Sequence, residues 1–256
     1  MTNPFTQFIP PDNVFDLTFL LVGNSNSGKT HFVSTYTKGP VHIYMLDKGG
    51  EKTVRKRIRK TKQTNISIDI LSGNDKSFSD FWHKFQQDEK EGKFEYLAKN
   101  NGILCLDSLS SANEKAIKEI LLKDGKTPSG IGKQIDHKKG MAEPHWGQLL
   151  NWMMTLTSSL QDLPCAVVIT AHLHVMMNKN QEVIARYPFV NGQFRQILPK
   201  DFDESYLLEF RKTTQTIHFK ERNKFEAGSR VFSMDKKKDP KMDDLVTAYL
   251  AQQDTF

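Results

Sequence analysis

Residues 23 to 30 read Gly23-Asn24-Ser25-Asn26-Ser27-Gly28-Lys29-Thr30, a complete GxxxxGKT spacing. That order suits phosphate chemistry. Glycines let successive backbone N–H groups converge on phosphate oxygens, and a helix starting at the loop's end adds the positive end of its dipole. Lys29 would set a point charge on the β and γ phosphates, and the Thr30 hydroxyl could ligate Mg²⁺. The motif needs a strand before it and a helix after it. Residues 15–22 (FDLTFLLV) supply the first, and residues 28–37 are expected to supply the second.

A second group is needed for the metal. The apolar run ILCL (103–106) ends at Asp107, where an aspartate at a strand terminus could hold Mg²⁺ through water. The same residue could instead cap the helix expected over 110–122. Hydrolysis further requires a group that orients the attacking water. Asp47 and Glu51, after the second strand, are the available carboxylates, although either could cap the next helix. His172, just past an apolar strand, could sense a γ-phosphate; a histidine satisfied by its surroundings is the plainer alternative.

The elements that must position these groups follow from periodicity. Strands are expected at 41–46 (VHIYML), 66–71 (ISIDIL), 103–106 and 165–170. Phe78, Phe81, Trp82 and Phe85 fall at helical spacing within 77–98, and Pro144 opens a helix whose apolar face carries Leu149, Met153, Leu156 and Leu160. Residues 205–210 and 214–219 alternate around a short turn, as a hairpin does, and a short helix over 243–252 closes the chain. Strands alternating with helices imply a mainly parallel sheet covered on both faces. Residues 123–143 and 174–198 resist assignment and read as two long loops. The reading is one α/β domain over 1–256, with its core at 15–232 and a tail at 233–256.

Composition is ordinary for a globular domain: 256 residues, 38% hydrophobic, 26% charged, net charge +6. No apolar run approaches the roughly 20 residues that span a bilayer, so no membrane partner is expected. Cys105 and Cys165, both in apolar strands, fit reduced thiols in a cytoplasm. The small basic excess is compatible with nucleic acid without demonstrating it.

The order of parts resembles the RecA-like core of P-loop ATPases, on the segments LLVGNSNSGKT, IYMLDKGGE, ILCLDSLSS and VVITAHLH. With Pro188, Gly192 and the following PKDFDESYLL, it is most similar to phage ATP-binding proteins with a shortened RecA core. Some of these, the Sak-four group, are single-strand annealing recombinases. The resemblance implies an α/β P-loop NTPase fold with a C-terminal β-hairpin, ATP and Mg²⁺ as cofactors, single-stranded DNA as partner, and a ring or filament of identical subunits. One departure stands out. Those relatives carry Asp-Thr-Glu after the second strand, whereas this chain has Asp47-Lys48-Gly49, so Asp47 or Glu51 must substitute or hydrolysis is slow.

In such cores DNA meets the two long loops. Here these hold Lys133, Lys138 and Lys139 in the first, and Arg186, Phe194 and Arg195 in the second. Cations would neutralise phosphates and an aromatic face could stack on a base. Solvated loops whose aromatics pack on the core are the alternative. The run from Lys52 to Lys62 is a further basic stretch, explained equally well as a solvated helix face. By the same resemblance Lys220 and Arg222, two apart after the hairpin, would reach a neighbouring subunit's γ-phosphate in trans, as an arginine finger does. The implied activity is ATP-dependent strand annealing. A P-loop kinase for a small molecule, or a nucleotide-switched loader or scaffold in DNA replication, is the alternative.

Overall fold

The computed structural model describes residues 17–73, 76–123, 141–192, 194–211, 213–222, 224–229 and 232–253. Apolar strands and amphipathic helices alternate along it. The strands are β1 (Thr18–Gly23), β2 (Val41–Met45), β3 (Ile66–Ile70), β4 (Ile103–Asp107), β5 (Ala166–Met177), β6 (Val183–Pro188), β7 (Glu204–Arg211), β8 (Thr214–His218), β9 (Gly228–Ser229) and β10 (Lys236–Lys238). The helices are α1 (Lys29–Val33), α2 (Gly50–Thr61), α3 (Phe78–Lys90), α4 (Lys93–Lys99), α5 (Leu109–Lys123), α6 (Glu143–Gln161), α7 (Phe194–Ile197) and α8 (Met242–Gln253).

The sheet runs β10-β8-β7-β1-β5-β4-β2-β3, with β6 paired to β5 and β9 to β7. From β7 to β3 every neighbour is parallel, while β8 and β10 extend one edge antiparallel. This is the α/β, mainly parallel architecture with a C-terminal hairpin that the sequence implies. Successive residues of β1 feed opposite cores, as a two-residue period requires. Leu20 and Val22 join the cluster under α3 to α6, while Phe19 and Leu21 join the one under α1, α2 and α8. The segment set apart as a tail supplies β10 and α8, and Met242, Leu245 and Val246 are buried in the second cluster.

Three elements differ from the periodic reading. Residues 77–98 form two helices, because the chain turns at Gly92 with φ 72, a left-handed conformation open to glycine. Helix α1 stops at Val33, where the Ser34 and Thr35 hydroxyls donate to the carbonyls of His31 and Phe32 and compete with the helix ladder. Much of 174–198 is a hairpin rather than a loop: β5 continues to Met177 and β6 returns antiparallel. Its turn is built by Asn178, whose Oδ1 accepts from the amides of Asn180 and Glu182.

Candidate active site

The central strand β1 ends at Gly23, level with His172 of β5 on one side and Leu208 of β7 on the other. A Cβ on Gly23 would lie 2.5 Å from the Leu208 carbonyl oxygen, so the tight exit from the sheet requires glycine. The loop turns at Gly28, φ +88, and delivers α1 with Lys29 and Thr30 in its first turn. Lys29 is 6% exposed. Its Nζ donates to the carbonyls of Gly23 (2.9 Å) and Asn24 (3.0 Å), folding the ammonium over the loop. Burial pushes that ammonium below its ordinary pKa, against the opposing pull of Asp107 and Asp47. Gln215 of β8 holds the loop from outside, its Nε2 donating to the carbonyls of Ser27 (2.9 Å) and Gly28 (3.1 Å).

Asp107 ends β4 at 1% exposure. Its Oδ2 accepts from the Thr30 hydroxyl at 2.6 Å, and its Oδ1 from the Thr170 hydroxyl at 2.6 Å. Burial, and next the negative Asp47, raise its carboxyl pKa, while the two threonines and Lys29 hold it down. A carboxylate and a hydroxyl oxygen converging beside a phosphate-binding loop fit Mg²⁺, which prefers oxygen ligands and keeps several waters. Backbone crowds the same point: a Cβ on Gly50 would lie 3.4 Å from Asp107 Oδ2 and 2.3 Å from Met45 Sδ.

Asp47 follows β2. It accepts from the Ser108 hydroxyl (2.7 Å) and the Ser111 hydroxyl, and pairs with His172 Nε2 at 3.0 Å. Burial works against its charge, yet His172, Ser111 and Ser108 hold the carboxyl down at about 2. His172 in turn donates its backbone N–H to Ser110 Oγ. Asp47, Asp107, His172, Lys29, Thr30, Ser25 and Asn26 line one cleft of about 370 Å³, closed on the far side by Gly49, Gly50 and Thr53 of the α2 entry.

The remaining sequence candidates lie elsewhere. Glu51 sits on the first turn of α2 and does not line the cleft. It lies two residues before the cleft-facing Thr53, about 160° round the helix. β8 ends at His218, and the chain leaves the strand beyond it. Lys220 pairs there with Asp235 at 3.0 Å, and Arg222 bridges back to Phe225, so the two do not share the face of an extended strand. Lys133, Lys138 and Lys139 fall outside the described residues. Arg186, on β6, lines a second cleft against Asn24 to Ser27, and the Arg195 guanidinium stacks over Tyr187 at 5.5 Å. Phe194 is 2% exposed in the first core cluster, packed there as the opening residue of α7, so its ring is not free to stack on a base.

Sequence reasoning assigned no role to Ser111 or Gln215, and placed Ser108 and Thr170 only by resemblance, within the segments ILCLDSLSS and VVITAHLH. The serines had a signal, since Ser108 directly follows Asp107 and caps the next helix, its Oγ accepting from the Ser111 N–H three residues on. Gln215 had none, because its contacts span 187 and 188 residues of chain.

No curated protein matches the chain in sequence. Among solved structures, a RadB recombinase is similar at 11% identity and TM-score 0.44, over 84% of this chain and 85% of that one. An ATPase from the type III secretion system of pathogenic bacteria is similar at 12% identity and TM-score 0.45, over 77% of this chain; the chain spans 53% of that protein's length. A family model described as AAA domain (AAA_24) matches residues 16–231. That match covers most of the sequence, and the chain belongs to this family of AAA domains.

Proposed function

We propose that the cleft binds ATP with Mg²⁺ and hydrolyses it. The observation that carries this is the arrangement of Asp107, bonded to both Thr30 and Thr170, next to Asp47, bonded to His172, in one cleft with Lys29. Thr30 and Asp107 hold the metal, which would supply charge stabilisation to the phosphates. The loop amides and Lys29, once released from the Gly23 and Asn24 carbonyls, bind the triphosphate. Asp47, ionised and fixed by three donors, orients water towards the γ-phosphate, and His172 fixes Asp47 and faces the same phosphate.

The work served by this cycle, in our reading, is on single-stranded DNA, as strand annealing of the kind the phage-protein resemblance implies. Arg186 and Arg195 on the β5–β6 side offer cations for phosphates. Identical subunits would assemble, with Lys220 or Arg222 approaching a neighbour's cleft. One observation favours a second reading, a nucleotide-switched loader or scaffold with slow turnover: a carboxyl held near 2 is a weak proton acceptor. Phosphate release, measured with and without single strands over a range of protein concentration, separates the two. The annealing reading predicts stimulation by single strands and a rate per subunit that rises with concentration. A flat, DNA-indifferent rate would overturn it, whereas tight ATP binding with negligible release would favour the switch.

A further inference from the structure

Helix α2 carries a charge pattern that the nucleotide site does not use. Lys52, Arg55, Lys56, Arg59 and Lys60 are all exposed, and together they line one shallow trough on the surface. At 100° per residue they fall within an arc of about 140°. The opposite side of the helix carries Val54, fully buried, and Ile58, packed against the second core cluster. Among the described residues none of the five cations has an ion-pair or hydrogen-bond partner. Their neighbour Arg57 is committed instead, its Nε donating to the Ser34 carbonyl and to Gln63. Five like charges on under three turns of helix repel one another, a cost that a bound polyanion would relieve.

We infer that this face of α2 is a docking track for the phosphate backbone of a single-stranded nucleic acid, an inference that rests on the DNA part of the function proposed above. The length fits: from Lys52 to Lys60 the helix rises about 12 Å, and side chains three or four apart stand about 5–6 Å from one another, room for two or three successive phosphates. The chemistry favours nucleic acid over a lipid surface. A membrane-bound helix inserts an apolar face, whereas the apolar side of α2 is spent on the core and its exposed side holds no large hydrophobic residue. The track also starts at the nucleotide cleft, because Gly49, Gly50 and Thr53 at the entry of α2 line it. A strand on α2 would thus lie on the same rigid element as the triphosphate site.

The test is fluorescence anisotropy of a labelled oligo-dT strand across a salt series, with the parent and the triple variant Lys52→Gln, Lys56→Gln, Arg59→Gln. Three lost phosphate contacts should reduce the log–log salt slope by about 2 and weaken binding by about a hundredfold near 0.1 M salt. The charge-keeping variant Lys52→Arg, Lys56→Arg, Arg59→Lys should bind like the parent, and an unfolding midpoint at or above the parent's shows that the Gln variant is folded. If the parent binds and the Gln variant binds equally well, with the same slope, the track is overturned and the DNA reading stands. A parent that binds no strand overturns both. Loss of binding to phosphatidylserine vesicles alone, with DNA binding unchanged, assigns the face to a membrane and overturns the inference.

Discussion

Gly28→Ala tests the geometry of the phosphate-binding loop at its tightest point. The residue has φ +88, where an L side chain costs about 1–2 kcal/mol. The new Cβ would also stand 2.2 Å from Gln215 Nε2. Gln215 is flexible enough to swing away, but only by giving up its hydrogen bonds to the Ser27 and Gly28 carbonyls, at about 1 kcal/mol each. Gly28→Ala should therefore destabilise the nucleotide-free protein by roughly 3–4 kcal/mol, and Gln215→Ala by roughly 2 kcal/mol. The double variant should cost no more than Gly28→Ala alone, because the hydrogen bonds can be lost only once. Urea unfolding of the four proteins, analysed as a cycle, should give a coupling of roughly 2 kcal/mol. If Gly28→Ala costs only the backbone strain and the two changes add, the methyl group does not meet Gln215 and the description of this loop is wrong.

Lys29→Ala removes an ammonium placed over the loop, and charge-assisted contacts of roughly 1.5–3 kcal/mol imply about tenfold to hundredfold weaker ATP binding by calorimetry; an unchanged dissociation constant would remove the phosphate-binding role. Thr170→Val deletes the donor to Asp107 Oδ1, so the magnesium concentration giving half-maximal phosphate release should rise by about tenfold, and an unshifted titration would detach Thr170 from the metal site. Burial, then Lys93, push the buried His42 ring down to about 4, against the pull of Asp69. Its folded pKa lies below its unfolded value, so the unfolded state takes up the proton first. Stability should then be full above the ordinary histidine range and fall as pH drops from about 6.5 to about 4. Urea midpoints across that window should show the slope in the parent and a flatter one in His42→Gln; equal slopes would contradict the assignment.

Much of this architecture was legible in the sequence because single residue types dictate it. GxxxxGKT allows few backbone paths, and an apolar strand ending in aspartate puts Asp107 at the carboxyl edge of the sheet, where β1 also delivers its loop. Asp47 and Glu51 could not be separated in the sequence, because both follow β2 within six residues. The turn through Gly49, φ 86, decides which one faces the cleft. Phe194 read as a loop aromatic because the hairpin of β5 and β6 was hidden. That hairpin turns on asparagine rather than glycine or proline, and its strands are half-buried on both faces, so neither turn chemistry nor clean alternation announced it. Lys220 and Arg222, two apart, would share a face only in an extended strand, and β8 ends before them at His218.

The central claim is that Asp47 acts on the attacking water in a cleft where Thr30 and Asp107 hold the metal. Asp47→Asn keeps the side chain's size and leaves the loop and Lys29 untouched, so the decisive measurement is single-turnover phosphate release at saturating ATP and magnesium, beside the ATP dissociation constant. The account predicts affinity within a few-fold of the parent and a release rate lower by about a hundredfold or more, the scale of a lost acid–base group. A parent that releases phosphate at a rate Asp47→Asn fully retains would contradict it.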